Sequence, residues 1–467
     1  MPLWTAADAA RATDGAISGD WTATGVSIDT RSLAAGDLFV ALRGPNHDGH
    51  DFVAAAFERG AAAAVVDREI AGLAATASLL RVADTLAGLS ALGAFARARS
   101  RARIVAVTGS VGKTGTKEAL RLALGACGTI STSAGSLNNH WGVPLSLARM
   151  PPDCAYGVFE LGMNHPGEIA GLARLARPHV AVITTVEPAH LGFFSSVEVI
   201  ADAKGEIFEG LEPGGIAVLN RDNPHYARLA AAAKRAGATE IIGFGTHREA
   251  AVRLVDCVLG PCGSEVEAML AGSTQRFCLP LPGLHWVMNA LAALGAAVAA
   301  GADPERAAAA LAGLEALPGR GRRHALAWRG GTLTLIDESY NASPAAMSAA
   351  LAVLGAIAPA PGGRRVAVLG DMLELGAAAA SLHRALAAPL AAAKVDRVFL
   401  VGTAMAALDE ALPESTRGGL WQFADQAIPA LSRFLQPGDV VTVKGSYGVR
   451  VGRIVERLCA EAARPGP

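Results

Sequence analysis

A glycine-rich segment at residues 108–114 has the residue types that bind phosphate groups. It follows the apolar run 104–107 and precedes a helix-like stretch. In such a loop, backbone N–H groups and the helix N-terminus cradle phosphates, a lysine neutralises the outer oxygens, and a threonine hydroxyl faces Mg²⁺. The full phosphate-loop motif has a glycine where Val107 stands. The alternative interpretation is a Gly/Ser turn with an exposed lysine and no phosphate site. The strand-turn-helix context favours a nucleotide site formed by Thr108, Gly109, Ser110, Val111, Gly112, Lys113, Thr114 and Gly115.

Three polar residues elsewhere in the sequence could complete a metal or catalytic centre beside this loop. Glu160 ends the apolar run YGVF, His190 follows VAVITTV, and Lys204 lies in the helical run AKGEIF. Because open parallel sheets bind ligands at the carboxyl ends of their strands, Glu160 is a candidate metal ligand. Taken singly, a loop histidine and a helix lysine are usually structural or solvated. Only their combination with the phosphate loop indicates a site.

The elements that must position these residues predict an α/β protein with three domains. Short strand and helix patterns fill residues 1–83, and apolar strands separated by helices over 84–318 predict a parallel sheet covered on both faces. The stretch 250–282 is typical of a peripheral hairpin insertion. A Pro/Gly run at 317–321 marks the second boundary, after which strand and helix patterns repeat over 319–467.

Composition and charge exclude several classes of function. The chain has 41 basic and 42 acidic residues, so no global field attracts nucleic acid or an anionic membrane. Hydrophobic residues make up 51%, but many are alanines, and no run of about 18 strongly apolar residues predicts a membrane span. The start lacks the features of a secretion signal, and the six cysteines show no CxxC spacing. We therefore expect a cytoplasmic protein with reduced cysteines and no zinc site.

Seven segments together resemble the Mur ligase family. They occur in the family's order, five in the predicted central domain and two in the predicted C-terminal domain, and the similarity as a whole extends over essentially all three domains. The segments are 108–117 (TGSVGKTGTK), 138–144 (NNHWGVP), 160–169 (ELGMNHPGEI), 189–194 (AHLGFF), 203–208 (AKGEIF), 337–347 (DESYNASPAAM) and 369–376 (LGDMLELG). Within the family, MNHPGEI and DESYNASP are similar to the member that adds a D-alanyl-D-alanine dipeptide.

The resemblance implies an ATP-dependent ligase of peptidoglycan precursor synthesis, which joins D-alanyl-D-alanine to UDP-N-acetylmuramoyl-tripeptide through an acyl phosphate. It implies a small N-terminal UDP-binding domain, a central P-loop ATPase domain with a parallel sheet, and a Rossmann-like C-terminal domain. Two Mg²⁺ ions and a monomer are expected, without nucleic acid and without membrane insertion. The alternatives are a sibling ligase that adds one amino acid, a folylpolyglutamate synthase, and a P-loop switch or scaffold.

The resemblance also implies roles for individual residues. The catalytic set would be Lys113, Glu160, His190 and Lys204. The metal ligands would be Thr114, Glu160, His190 and a carbamylated Lys204. Outside the loop, ATP would contact Asn289 (adenine), Asp337 (ribose) and Arg323 (phosphates), with Arg320 or Arg322 as alternatives to Arg323. The UDP end would bind Ser27, Asp29, Thr30, Arg31, Asn46, His47, Asp48, Gly49, His50, Asn138 and Asn139, and the dipeptide would lie near Asn341, Lys444 and Ser446.

One segment departs from the family pattern. Before the adenine-side helix, the family reads glycine, a variable residue, histidine and asparagine. Here Gly283-Leu284-His285 is followed by Trp286. Asn289 keeps its place, so the resemblance implies a nucleotide site with an altered loop.

Overall fold

The computed structural model describes residues 2–74, 76–189 and 191–463, which form three α/β units, each with its own main sheet. This architecture confirms the predicted fold class. Within these ranges, no helix is both long enough and apolar enough to cross a bilayer.

Seven short strands and three helices make up the N-terminal unit and the connection out of it. The strands are β1 (Trp4–Thr5), β2 (Ala16–Ser18), β3 (Thr22–Ala23), β4 (Gly25–Ser27), β5 (Asp37–Val40), β6 (Ala63–Val66) and β7 (Leu79–Arg81), and the helices are α1 (Ala6–Thr13), α2 (Val53–Glu58) and α3 (Thr85–Arg99). The main sheet has the order β2-β7-β6-β5-β4, with β4 to β7 parallel and β2 antiparallel. The Asp84 carboxylate accepts a hydrogen bond from Ala87 N at 2.7 Å and so caps α3.

Among the described residues, the central unit has nine strands and seven α-helices. The strands are β8 (Arg103–Thr108), β9 (Ile130–Thr132), β10 (Tyr156–Glu160), β11 (Val180–Ile183), β12 (Ile216–Asn220), β13 (Glu240–Gly245), β14 (Val252–Leu259), β15 (Ser264–Leu270) and β16 (Ser273–Leu279). The helices are α4 (Lys113–Gly125), α5 (Gly142–Ala148), α6 (Glu168–Ala176), α7 (Val197–Gly205), α8 (Tyr226–Arg235), α9 (Leu284–Ala299) and α10 (Pro304–Ala310). The sheet order is β16-β15-β14-β13-β12-β11-β8-β10-β9. The predicted hairpin over 250–282 continues this sheet at one edge, where β14, β15 and β16 are antiparallel.

The central strands are apolar throughout because both faces of the sheet are covered. Successive side chains of a strand point to opposite faces. Val105 and Val107 of β8 belong to the core that includes residues of α4, α9 and α10, whereas Ile104 and Ala106 belong to a second core with residues of α5 to α8. The chain visits β9 and β10 on one side of β8 and then crosses to β11 on the other. Ligands of open α/β sheets bind at such a switch point, beyond the carboxyl ends of the strands.

The part of the C-terminal unit that the structure describes has six strands and six α-helices. The strands are β17 (Arg322–Trp328), β18 (Gly331–Glu338), β19 (Arg365–Gly370), β20 (Arg397–Val401), β21 (Arg417–Trp421) and β22 (Val440–Lys444). The helices are α11 (Pro344–Ala356), α12 (Ala379–Arg384), α13 (Ala387–Ala392), α14 (Ala406–Asp409), α15 (Ala424–Phe434) and α16 (Gly452–Ala462). The order is β17-β18-β22-β19-β20-β21, with only β17 antiparallel to its neighbour.

Two hydrogen bonds, one of them buried, join the N-terminal unit to the central one. Trp4 Nε1 donates to Ala148 O at 2.9 Å, and Arg149 Nε donates to Val26 O at 2.6 Å. These bonds connect the start of the chain and strand β4 with α5 and the residue after it. The N-terminal sheet is therefore held against the same helix that follows residues 138–141.

A half-buried histidine makes the central sheet sensitive to acid. His179 precedes β11, and its Nδ1 accepts a hydrogen bond from Ile104 N at 2.9 Å. Burial lowers the pKa of His179 to about 4, and the positive charges of Arg103 and Arg97 contribute to the shift. Protonation would break the bond to Ile104 and place a charge beside these arginines.

We expect the free energy of unfolding to fall as the pH is lowered from 6.5 towards about 4, because the unfolded state then binds a proton that the native His179 does not. His179→Gln should remove part of this slope in urea titrations across the range. His140→Gln, at an exposed position, is the control. An acid slope unchanged by His179→Gln would contradict the assignment.

Candidate active site

The phosphate loop is the turn between β8 and α4. Gly109 and Gly112 have φ angles of +152° and +88°, which glycine adopts without strain. Gly112 is the N-cap residue of α4 and has no capping side chain, so first-turn N–H groups are left for an anion. Lys113 Nζ donates to Gly109 O at 2.7 Å and so lies over the loop. The turn directs backbone donors and a positive charge to one place, which suits phosphate binding.

A threonine at the end of β11 fixes the shape of this loop. Thr184 Oγ1 lies 2.6 Å from Val111 O and 3.3 Å from Thr108 O, two carbonyls that can accept its proton. Ser110 adds a backbone hydrogen bond to Thr185 O at 2.9 Å. Thr184 was not among the predicted site residues. The signal in the sequence was its position directly after the apolar strand VAVI.

Glu160 lies at the centre of the site and is almost completely buried, at 1% exposure. Its Oε2 accepts a hydrogen bond from Thr114 Oγ1 at 2.9 Å, and its Oε1 accepts one from Asn138 Nδ2 at 2.8 Å. No residue in the described ranges forms an ion pair with it, and these ranges contain no group of three or more His, Cys, Asp or Glu side chains suited to a metal. The carboxylate and the Thr114 hydroxyl are oxygen donors of the kind that Mg²⁺ prefers.

The side chain of Lys204 on α7 is buried, at 2% exposure, without a hydrogen bond or ion pair to any described residue. Burial lowers its pKa well below the usual value, and the charge of Lys113 lowers it further. The side chain is therefore shifted towards its neutral, nucleophilic form. His190, predicted beside it, lies outside the described residues.

The C-terminal unit supplies the opposite wall of a cavity of about 610 Å³. Lys444 at the end of β22 donates to Glu338 Oε2 at 3.2 Å and to Asn341 O at 3.0 Å. Ser446 Oγ accepts from Leu373 N at 2.9 Å. All three predicted dipeptide residues, Asn341, Lys444 and Ser446, line the cavity together with Lys113, Thr114, Glu160 and Asn138 of the central unit.

Comparison with known proteins identifies the family to which this chain belongs. Three family models match: the "Mur ligase family, catalytic domain" over residues 22–109, the "Mur ligase middle domain" over 107–297, and the "Mur ligase, glutamate ligase domain" over 321–447. The UDP-N-acetylmuramoyl-tripeptide--D-alanyl-D-alanine ligase of Escherichia coli is 38% identical over 94% of this chain and 94% of its own. The chain belongs to the Mur ligase family. The ligase of the same name from Bacillus subtilis is 35% identical over 93% of each chain.

Solved structures agree with this Mur ligase over nearly its whole length. A crystal structure of MurF from Acinetobacter baumannii matches with a TM-score of 0.85 and 31% identity, covering 98% of this chain and 99% of the other. MurF ligase from Thermotoga maritima, in complex with ADP, matches with a TM-score of 0.75 and 27% identity, covering 94% and 97%. The predicted family membership is confirmed, and with it an ATP-dependent ligase.

Residues 317–323, named here the hinge, join the central unit of this Mur ligase to its C-terminal unit, and they place their three arginines in different surroundings. Arg320 lines the large cavity, with its guanidinium 4.3 Å from the ring centroid of Tyr340. Burial lowers the pKa of Lys113, Glu160 opposes this shift, and the charge of Arg320 reinforces it. Arg323 instead contacts Cys262 Sγ at 3.7 Å and, with Arg322, lines a separate cavity of about 450 Å³. The structure therefore brings Arg320, and not Arg323, to the site.

Asp337 lies behind the cavity wall. Its carboxylate accepts hydrogen bonds from Gly319 N at 2.8 Å and Ser339 N at 3.1 Å, which shapes the hinge. Its neighbour Glu338 lines the cavity. The ribose contact of Asp337 remains a prediction.

Asn289 and Trp286 on α9 lie against the first turn of the phosphate-loop helix. A Cβ atom added at Gly115 would lie 2.7 Å from Asn289 Nδ2 and 2.9 Å from Trp286 Cζ3. Both residues line the large cavity, and so does His285, whose pKa is lowered by burial while Glu338 opposes the shift. The departure from the family pattern thus places an indole beside α4 and leaves Asn289 at the phosphate loop.

The residues predicted to bind UDP divide into two groups. In the N-terminal unit, Arg31 Nη2 pairs with Asp29 Oδ2 at 2.6 Å, and buried His50 lies between Asp48 (2.6 Å) and Asp67 (3.1 Å). Ser27, Thr30, Asn46, His47 and Gly49 lie in the same unit. Asn138 instead bonds to Glu160, as described above. Asn139 caps α5, because its Oδ1 accepts from Gly142 N at 2.9 Å.

We expect Thr184→Val to weaken ATP binding by about 5- to 30-fold, because the loss of a buried hydrogen bond worth about 1–2 kcal/mol releases the phosphate loop. Titration of full-length protein with ATP measures the effect. Thr274→Val, at an exposed position of β16, is the matched control. Equal affinities for ATP in both variants would show that Thr184 does not hold the loop.

Proposed function

We propose that this Mur ligase joins D-alanyl-D-alanine to the peptide carboxylate of UDP-N-acetylmuramoyl-tripeptide, at the expense of ATP. The observation that carries the proposal is the single cavity in which the phosphate loop and Glu160 face Arg320, Lys444 and Ser446. The printed name of the relatives at 38% and 35% identity supports the choice of substrates. A cytoplasmic location and a monomeric state belong to the same proposal.

The first step activates a carboxylate, which is otherwise a poor acyl donor. A substrate carboxylate oxygen attacks the γ-phosphorus of ATP, a P–O bond forms, the bond to the β-phosphate oxygen breaks, and ADP leaves. Lys113 and the N–H groups of the first turn of α4 hold the phosphates, and Arg320 approaches from the C-terminal unit. These donors stabilise the negative charge that spreads over the transferred group.

The second step forms the amide. The free amine of D-alanyl-D-alanine attacks the carbonyl carbon of the acyl phosphate, the C–O bond to phosphate breaks, and the amine loses a proton. Asn341, Lys444 and Ser446 line the C-terminal side of the cavity, where the dipeptide would enter. Because water would hydrolyse the acyl phosphate, a site enclosed by two units protects the intermediate.

Magnesium fits the residues around Glu160. A buried carboxylate without an ion pair in the described ranges is a favourable place for a cation. Thr114 and Glu160 would hold it, with water and nucleotide oxygens as the remaining ligands, as is usual for Mg²⁺. When bound, the ion neutralises charge on the phosphate oxygens. A second Mg²⁺ with His190 and carbamylated Lys204 is also proposed, and the depressed pKa of Lys204 supports it, since the neutral amine is the form that adds CO₂.

Phosphate release from ATP tests the proposed reaction. We expect release only when Mg²⁺, UDP-N-acetylmuramoyl-tripeptide and D-alanyl-D-alanine are all present, together with a pentapeptide product. Release supported by a single amino acid in place of the dipeptide would identify a sibling ligase. Release indifferent to both substrates would overturn the proposal in favour of a nucleotide switch.

The hinge provides a matched pair of variants. Arg320→Met should reduce kcat by about 10²- to 10³-fold, the usual cost of removing a preorganised charge at the reacting group. Arg323→Met should change kcat less than about threefold, because its side chain contacts Cys262 away from the cavity. Steady-state phosphate release from both variants measures the difference. If Arg323→Met lowered kcat more than Arg320→Met, Arg323 would be the arginine that contacts the phosphates.

A further inference from the structure

One loop of the central unit contacts elements of all three units. This loop, residues 133–138, lies between β9 and α5 and is named here the crossing loop. Its Ser136 Oγ accepts a hydrogen bond from Arg320 Nη2 at 3.4 Å, which reaches the C-terminal unit. Leu137 packs against the core of the N-terminal unit. Asn138 donates to the Glu160 carboxylate, so the same loop ends in the active site.

A single buried lysine holds the crossing loop to the phosphate-loop helix. Lys117 is 0% exposed on α4, one turn beyond Lys113. Its Nζ donates to Ser133 O at 2.8 Å and to Gly135 O at 2.7 Å. The helix that begins at the phosphate loop is thereby tied to the loop that contacts both other units.

The two hydrogen bonds to the crossing loop explain why a charged lysine occupies this buried position. A buried ammonium is unfavourable unless its donors are satisfied, and an apolar side chain of similar length would avoid that cost. Lys117 also pairs with Glu118 at 3.1 Å, but Glu118 has a second partner in Arg121 at 2.8 Å. Glu118 therefore does not require the lysine. The two crossing-loop carbonyls have it as their donor.

We propose that Lys117 is a positioning residue of the ligase reaction. By fixing the crossing loop, Lys117 holds Asn138 in its hydrogen bond to Glu160 and Ser136 in its hydrogen bond to Arg320. It also keeps Leu137 packed against the core of the N-terminal unit. Lys117 touches no reacting atom, and its effect passes through the loop. The expected effect of Lys117 on kcat rests on the proposed function, whereas its role in holding the crossing loop does not.

The test compares Lys117→Met with Lys234→Met in the full-length protein; Lys234 is an exposed lysine on α8. We expect Lys117→Met to accelerate amide hydrogen exchange in peptides covering 133–138 by about tenfold or more, and to leave those covering 109–116 unchanged. The Kd for ATP alone should stay within about threefold, while kcat falls by about 10- to 100-fold through misplacement of the site. Lys234→Met should match wild type in all three measurements.

A second variant loosens the crossing loop without altering Lys117. Gly135 has a φ of +51°, and an added Cβ would meet no atom within 4 Å, so Gly135→Ala strains only the loop backbone. It should reproduce the pattern of faster loop exchange, unchanged ATP affinity and lower kcat. This variant keeps the proposal testable if Lys117→Met does not fold.

The outcomes separate the two proposals. If the wild type makes no amide, the proposed function fails, while hydrogen exchange still reports whether Lys117 holds the loop. If the wild type is active and either variant loosens the loop without lowering kcat, the positioning role is wrong. Loss of ATP affinity in step with kcat would also overturn it, because Lys117 would then support the nucleotide site as a whole.

Discussion

The buried carboxylate of Glu160 is the constraint on which the rest of the site depends. Removing a carboxylate from water costs several kcal/mol unless neighbours compensate, so its surroundings cannot be arbitrary. Thr114 and Asn138 each donate one hydrogen bond to it, and Lys113 lies close enough for the carboxylate to oppose the fall in the lysine pKa. The phosphate loop and the crossing loop therefore meet at one negative charge.

The division of the cavity between two units follows from the chemistry that it must perform. The phosphate loop and Glu160 come from a sheet switch point, whereas Glu338, Asn341, Lys444 and Ser446 come from the ends of β18 and β22 and the residues after them. Neither wall contains the complete set. In the proposed reaction, such a divided cavity would protect the acyl phosphate from water while both substrates are bound.

Much of this arrangement could be predicted from the sequence, and the exceptions have physical causes. The phosphate loop and Glu160 follow from strand and turn patterns that depend on local sequence. The choice among the hinge arginines could not be made from local sequence, because it depends on where β17 begins. Arg322 and Arg323 lie in the strand, whereas Arg320 precedes it in the turn. Asn138 and Asn139 are adjacent and of one type, yet one meets Glu160 and the other caps α5. Thr184 is a threonine after a strand, and only the fold brings it to the loop.

The substitution in the adenine-side segment has a consequence for how this protein can be observed. Trp286 is 7% exposed and packs beside Gly115, one turn from the residues that cradle phosphate. Because indole emission depends on the local electric field, binding of a polyanion at the phosphate loop should change the fluorescence of Trp286. Of the six tryptophans in the chain, Trp286 is the one that lines the large cavity, so its emission should follow nucleotide occupancy at a place where the family pattern has an asparagine that does not fluoresce.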